Sequence, residues 1–222
     1  IEDFEIFYTS QLEVFHEKNN PVTAVTGLSA FGNPDKTLPN SEKEINNLKS
    51  MFGNEHYFVQ DSATETNARQ SLVKDRFVHF ATHGILDYND FRNSYLVFAG
   101  DDQTDASKNG KLTIREIKSL KIEDCELVTL SACETAVNKE ISKGWYISPA
   151  NSFLVKGVRT VVASLWKVND EATSILMTEF YKNMTHMSKA QALRHAQIKL
   201  TQNPKYQHPY YWAPFLLYGS WR

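Results

Sequence analysis

The sequence predicts an α/β fold: a mainly parallel β-sheet of about six strands with helices packed on both faces. Three observations lead there. Four runs, VTAVTGLSAF, RFVHFATHG, CELVTLSAC and TVVASLWKV, are nearly continuous in apolar and β-branched residues, as in strands buried on both faces. Segments with apolar residues at helical spacing separate several of them. Strand–helix alternation implies right-handed crossovers, and hence parallel strands. With 222 residues, 41% hydrophobic and 12% aromatic, the chain can bury a sizeable core.

The elements follow in order. Residues 1–20, IEDFEIFYTSQLEVFHEKNN, are mixed in character and end in the breaker NNP, so they are read as a helical lead-in or linker from an upstream region. Residues 21–222 form one domain. VTAVTGLSAF is bounded by Pro21 and by GNP at 32–34. A helix follows, with Ser41 and Glu44 spaced as a capping box and Ile45, Leu48 and Phe52 along one stripe. HYFVQ is a short strand and TETNARQSLV a short helix. RFVHFATHG closes at Gly84, and SYLVFAG is an edge piece before the polar loop DDQTDASKNG. LTIREIKSL is a brief helix and CELVTLSAC the next strong strand. After the loop AVNKEISKGWYIS, a helix opens near Pro149 and stops at Gly157, the usual proline-first, glycine-last arrangement. TVVASLWKV leads into two helices, from Asn169 or Asp170 to about Asn183 and from Ser188 to about Gln202. The strand FLLYGSW closes the chain.

Composition narrows the class. Formal net charge is −2, from 24 basic and 26 acidic residues, with no Lys/Arg run of five, so the basic stripe expected of nucleic-acid or anionic-membrane binding is missing. No apolar stretch approaches the ~20 residues of a membrane span. The opening Ile1 points to a piece of a longer protein. Cys125 and Cys133, eight steps apart on one strand, lie ~26 Å apart, far beyond the ~7 Å limit for a disulfide. Two unpaired thiols fit a reducing, cytoplasmic setting.

In such sheets ligands bind beyond the carboxyl ends of the strands. Two neighbouring strands end there in ATHG and LSACETA. Cys133, at a strand end with a helix expected after it, needs a base to become a thiolate, and His83 is placed to supply one. Gly84 can turn its N–H into the site, where with the Cys133 N–H it would make a two-donor oxyanion hole. A histidine and a cysteine at strand ends are also ordinary packing residues.

Resemblance adds to that pattern. ATHG, LSACETA, GVRTVVASLWKVNDEAT and HPYYWAPFLLYGSW, in that order and with the helix SKAQALRHAQ between the last two, resemble the CHAT family of caspase-like cysteine peptidases. That family belongs with caspases, separases and gingipains and is often fused to tetratricopeptide repeats. The similarity runs from about Val22 to Trp221. It implies a caspase-hemoglobinase-like three-layer sandwich, a His83–Cys133 dyad, a protein substrate, and gating by a repeat region or bound partner, with the 136–148 loop as the moving element. It implies no cofactor or metal. One departure is local: many members have a glycine-rich loop after ETG, whereas here Glu134-Thr135-Ala136 is followed by Gly144 as the sole glycine before the next helix.

Three further residues are substrate-binding candidates. Asp170 resembles, by its place after a Trp-containing strand, the aspartate with which separases receive arginine; it is equally a helix N-cap candidate. Trp166 either walls that pocket or packs in the core. Ser131, two before Cys133, is small and neutral and dictates neither an acidic nor a basic partner. VVASLWKV offers an edge on which an extended peptide would add as a strand. The orienting group of His83 is left open among Asp87, Asp90 and a main-chain carbonyl. His79 and His83 stand ~13 Å apart on a strand, too far to share a zinc ion, and the three aspartates of DDQTDASKNG lack EF-hand order. A catalytically silent interaction module is the alternative to a peptidase.

Overall fold

A computed structural model describes residues 1, 3–9, 24–53, 55–101, 109–131, 139–142 and 145–222, with backbone alone for 139–142 and 145–147. In chain order the strands and helices are β1 (Leu28–Gly32), α1 (Pro39–Phe52), β2 (His56–Val59), α2 (Glu65–Lys74), β3 (Phe77–Ala81), β4 (Gly84–Ile85), β5 (Tyr95–Val97), β6 (Lys111–Thr113), α3 (Ile114–Ser119), β7 (Leu127–Leu130), β8 (Lys139–Ser142), β9 (Trp145–Ile147), α4 (Pro149–Val155), β10 (Thr160–Ser164), α5 (Asp170–Met184), α6 (Lys189–Thr201) and β11 (Phe215–Gly219).

The main sheet has six strands in the order β11-β10-β7-β3-β1-β2. All neighbours are parallel except β10 and β11. Because side chains alternate across a strand, each strand feeds two cores. Leu28, Ala30, Phe77, Leu127 and Val162 face α1, α5 and α6, where Ile45, Leu176, Phe180 and Leu200 meet them. Phe31, Val78, Phe80, Val128, Leu130 and Val161 face the other way, toward Ala68 and Leu72 of α2, Ile117 of α3 and Phe153 of α4. In both layers each fully buried Leu or Phe contributes roughly 1.5–3 kcal/mol. This is the three-layer α/β sandwich expected. Gly32 marks a close seam between β1 and α1, since a Cβ there would lie 2.7 Å from Ile45 Cγ1.

Several local expectations are corrected. Ser41 and Glu44 do not cap α1. The helix begins two residues earlier, at Pro39, where the missing N–H costs nothing, and Ser41 turns its hydroxyl back to Leu38 O at 2.8 Å. SYLVFAG is not an edge of the main sheet: β5 is the middle strand of a separate antiparallel sheet, β4-β5-β6. The 139–147 stretch, read as loop, holds the antiparallel pair β8–β9. β10 offers no edge over 160–163, because β7 pairs on one side and β11 on the other. At the sheet's end, Tyr8 of the opening segment pairs with β11, its N–H donating to Leu217 O and its carbonyl accepting from Gly219 N, both at 2.8 Å.

Candidate active site

The main sheet has a topological switch point. From β1 the chain adds β2 on one side and later β3 on the other, so the loops leaving β1 and β3 part and a crevice opens beyond their carboxyl ends. A cleft of about 440 Å³ lies there, lined by Thr37 and Leu38 after β1, Thr82 and His83 after β3, Ser131 after β7, and Ser164, Lys167, Val168, Asn169, Asp170, Thr173 and Phe215 from the β10–β11 side. Of the sequence-predicted residues it brings together His83, Ser131 and Asp170. Cys133 lies outside the described residues, two positions beyond Ser131.

His83 is about one-quarter exposed, which leaves its ring open to the cleft. Its Nε2 is 2.7 Å from Thr37 Oγ1, and Thr37 in turn donates to Asp35 Oδ1 at 2.8 Å. With its proton committed to Asp35, the Thr37 hydroxyl can only accept from His83, so the network places a proton on Nε2, and in the neutral imidazole Nδ1 is the acceptor. Asp35 Oδ2 stands 3.6 Å from the same Nε2 and adds negative charge behind it. The two aspartates considered for this task are engaged elsewhere. Asp87 accepts from the backbone N–H groups of Asn89 and Asp90. Asp90 pairs with Arg92 and Arg115 at 2.8 Å each, and the Arg92 hydrogen bonds, ahead of other causes, hold its carboxyl down at about 2.

Gly84 lies opposite Leu96 in the β4–β5 pair, and Val97 N–H donates to His83 O at 2.8 Å. In an antiparallel ladder bonded and non-bonded positions alternate, so Gly84 occupies the non-bonded position and its N–H faces away from β5. Its φ is not positive, so the direction comes from strand register and not from glycine's conformational freedom.

Asp170 is the first residue of α5, whose N-cap is Asn169 accepting from Ala172 N. Asp170 Oδ2 instead accepts from Asn40 N at 2.9 Å, so it caps α1 across 130 residues of sequence. Its carboxylate therefore stands at two helix N-termini, where negative charge is favoured. Ser131 Oγ donates to Glu44 Oε2 at 3.3 Å, and Glu44 Oε1 touches His79 Nε2 at 2.7 Å. Trp166 is not among the cleft-lining residues. Half-buried, it donates its indole N–H to Tyr210 O at 3.1 Å and stacks on that ring.

Sequence reading missed Asp35, Thr37 and Asn40, and gave Glu44 a local role it does not have. A signal existed: GNPDKT directly follows a buried parallel strand, where ligand-binding loops belong. Of the acidic loop DDQTDASKNG, residues 102–108 lie outside the described residues; Asp101 accepts from Thr66 N at 2.8 Å near the start of α2. Among the described residues no group of three metal-ligating side chains converges, and no helix is long and apolar enough to cross a membrane.

Comparison with known proteins agrees with this architecture. The chain is 26% identical over 249 residues to human Tetratricopeptide repeat protein 28, covering 92% of this chain and 10% of that protein. It thus spans about a tenth of that relative's length. Among solved structures, the Saccharomyces cerevisiae separase in its securin complex superposes with a TM-score of 0.66 at 16% identity, over 94% of this chain and 13% of that one. The Arg-specific cysteine proteinase gingipain R superposes with a TM-score of 0.60 at 10% identity, over 93% and 50%. The fold is therefore caspase-like. The sequence model of the CHAT domain matches residues 1–220, and this chain belongs to the CHAT domain family.

Proposed function

We propose that this domain is a cysteine endopeptidase, acting on specific partner proteins and gated by a repeat region or bound partner. The observation that carries the reading is the Asp35–Thr37–His83 chain at the switch point, which orients an imidazole, with Nδ1 the acceptor in its neutral form, beside the end of the strand that leads to Cys133. Cys133 thiolate attacks the scissile carbonyl to form the C–S bond. The N–H groups of Gly84 and Cys133 hold the oxyanion. His83, protonated when it takes the thiol proton, gives that proton to the departing amine as the C–N bond breaks. Water then attacks the thioester with His83 as base, releasing the acid and restoring the thiol. Asp170 and Ser131 face the side chain before the cut, and Asp170 favours a basic one; Trp166 supports the flank through Tyr210. Residues 21–222 form the peptidase domain, on whose β11 the lead-in docks through Tyr8, and the setting is the cytoplasm. No cofactor takes part in this scheme.

A silent interaction module is the second reading. The observation favouring it is that the human relative is named for its tetratricopeptide repeats alone. Labelling with peptide acyloxymethyl ketones carrying Arg, Lys, Leu, Met or Asp next to the warhead, with the adduct located by mass spectrometry, separates the two. A peptidase gives an adduct on Cys133 that is lost in His83→Ala. Reaction at Cys133 no faster than at buried Cys125 would establish the silent module.

A further inference from the structure

Glu44 is an unusual residue to find where it is. It lies on the sheet-facing side of α1 with 1% exposure, while His79 on β3 is fully buried. Buried carboxylates persist where a partner compensates them. His79 Nε2 provides one contact at 2.7 Å, though its N–H does not lie along the line to the carboxylate. The second oxygen is not spent on the core at all. It accepts from Ser131 Oγ, at the rim of the cleft and one residue past β7. The rest of the contact is rigid: His79 packs edge-to-face on Tyr181 at 5.4 Å, and Tyr181 OH meets Thr129 Oγ1 at 2.9 Å. Thr129 is the register partner of His79 and lies two residues before Ser131 on β7.

We propose that Glu44 is a positioning residue for Cys133, acting through Ser131: it fixes the end of β7 against α1 and so sets where the following residues begin. This rests on the reading of Cys133 as nucleophile. Ser131 stands two residues before Cys133 in the sequence, about 3.8 Å per step, so the anchor at the end of β7 is the last described one before the thiol. The same first turns of α1 and the loop before it also hold the imidazole, through Thr37, and Asp170, through Asn40 N. One short segment, Asp35–Glu44, thus ties both halves of the dyad and one wall of the cleft to a common frame. A stability role alone would not direct a buried carboxylate toward a partly exposed hydroxyl when an apolar side chain could fill the space.

The test reads the thiol and not turnover. The pH midpoint of Cys133 alkylation by iodoacetamide is measured by mass spectrometry in the folded protein. Ser131→Ala leaves the buried pair in place and sits at a partly exposed residue, so it folds. Its midpoint should rise by about one unit toward the ordinary thiol value, with about tenfold slower alkylation below it, and Ser131→Thr should restore both. The paired swap Glu44→Met with His79→Phe removes both polar partners together and keeps the core filled. It should fold, raise the midpoint alike, and make Ser131→Ala without further effect. If His83→Ala raises the midpoint but Ser131→Ala does not, the dyad stands and the role of Glu44 is overturned. If His83→Ala leaves it unmoved as well, the dyad reading fails and takes this inference with it.

Discussion

Two buried polar pairs, one at the amino ends of the parallel strands and one nearer their carboxyl ends, are built differently. At the amino ends of the strands, Lys189 at the start of α6 is 1% exposed and reaches Glu126 Oε1 at 2.8 Å. It also donates to the carbonyl of Arg222, and Arg159 adds a second contact to Glu126 at 3.4 Å. Each charge there has an answering partner, and the latch joins α6, the approach to β7 and the chain's end. In the other pair Glu44 meets His79, midway along β3, off-line; His79 Nδ1 has no hydrogen-bond partner among the described residues, and the remaining carboxylate oxygen reaches to the cleft rim at the carboxyl end of β7. The Lys189–Glu126 pair is satisfied and closed, although Trp221 Nε1 and Arg222 Nε beside it find no hydrogen-bond partner among the described residues, and the Glu44–His79 pair is itself incompletely satisfied and open toward the cleft. Proteins break local rules chiefly where they act.

The same contrast separates the thiols. Cys125 lies at the closed end with 2% exposure; burial, more than any neighbouring charge, pushes its thiol up to about 12. It is inert by placement. Cys133 is eight residues on, past the open end of the same strand.

Perturbations should therefore sort by end. Lys189→Met strands Glu126 with Arg159 alone and should cost about 3 kcal/mol in urea unfolding, while the rate of Cys133 labelling in the folded protein stays unchanged. Loss of labelling there would show that the ends are not separable. At the open end, Asp35→Asn removes the charge behind Thr37 and should lower kcat about tenfold with KM unchanged, and thermal unfolding should barely move. Asp170→Ala crosses the two categories. It deletes a cap of α1 worth about 1 kcal/mol, and peptide-library profiling should show cleavage after basic residues lost; an unaltered profile would leave Asp170 as a cap only. The smallest effect concerns the exposed Asp90–Arg92–Arg115 cluster. Because the Asp90 carboxyl is held down at about 2, its contribution is whole at neutral pH and disappears as pH falls toward 2. Asp90→Asn should flatten the stability–pH curve in that acid range and leave it unchanged above pH ~5.

Much of this was readable in the chain because buried parallel strands leave an unmistakable mark. The runs around Leu28–Gly32, Phe77–Ala81, Leu127–Leu130 and Thr160–Ser164 are apolar on both faces for a physical reason, two cores fed by one sheet. The helices with sequence-local caps were also legible: Ser188 accepting from Gln191 N starts α6, and Ser148 starts α4 ahead of Pro149. What escaped was non-local. The capping-box spacing of Ser41 and Glu44 is present in the letters, but Pro39 starts the helix earlier and the cap arrives from Asp170, 130 residues away. No pattern within a window reports that. Glu44 in turn reads as a local capping partner of Ser41 until β3 and β7 are laid beside it. His83 and Gly84 could be picked out because they end a strand. For Thr37 and Asp35 the signal was weaker, GNPDKT following a buried strand, because their importance comes from the switch point, a property of strand order.

The most direct test of the central claim is to trap the covalent intermediate. The protein is mixed with an arginine ester substrate, quenched in acid within the first turnover, digested and weighed. The account predicts an acyl mass on the peptide carrying Cys133, present with His83 intact and absent in His83→Ala. An acyl group elsewhere, or none on Cys133 while the ester is consumed, would contradict it.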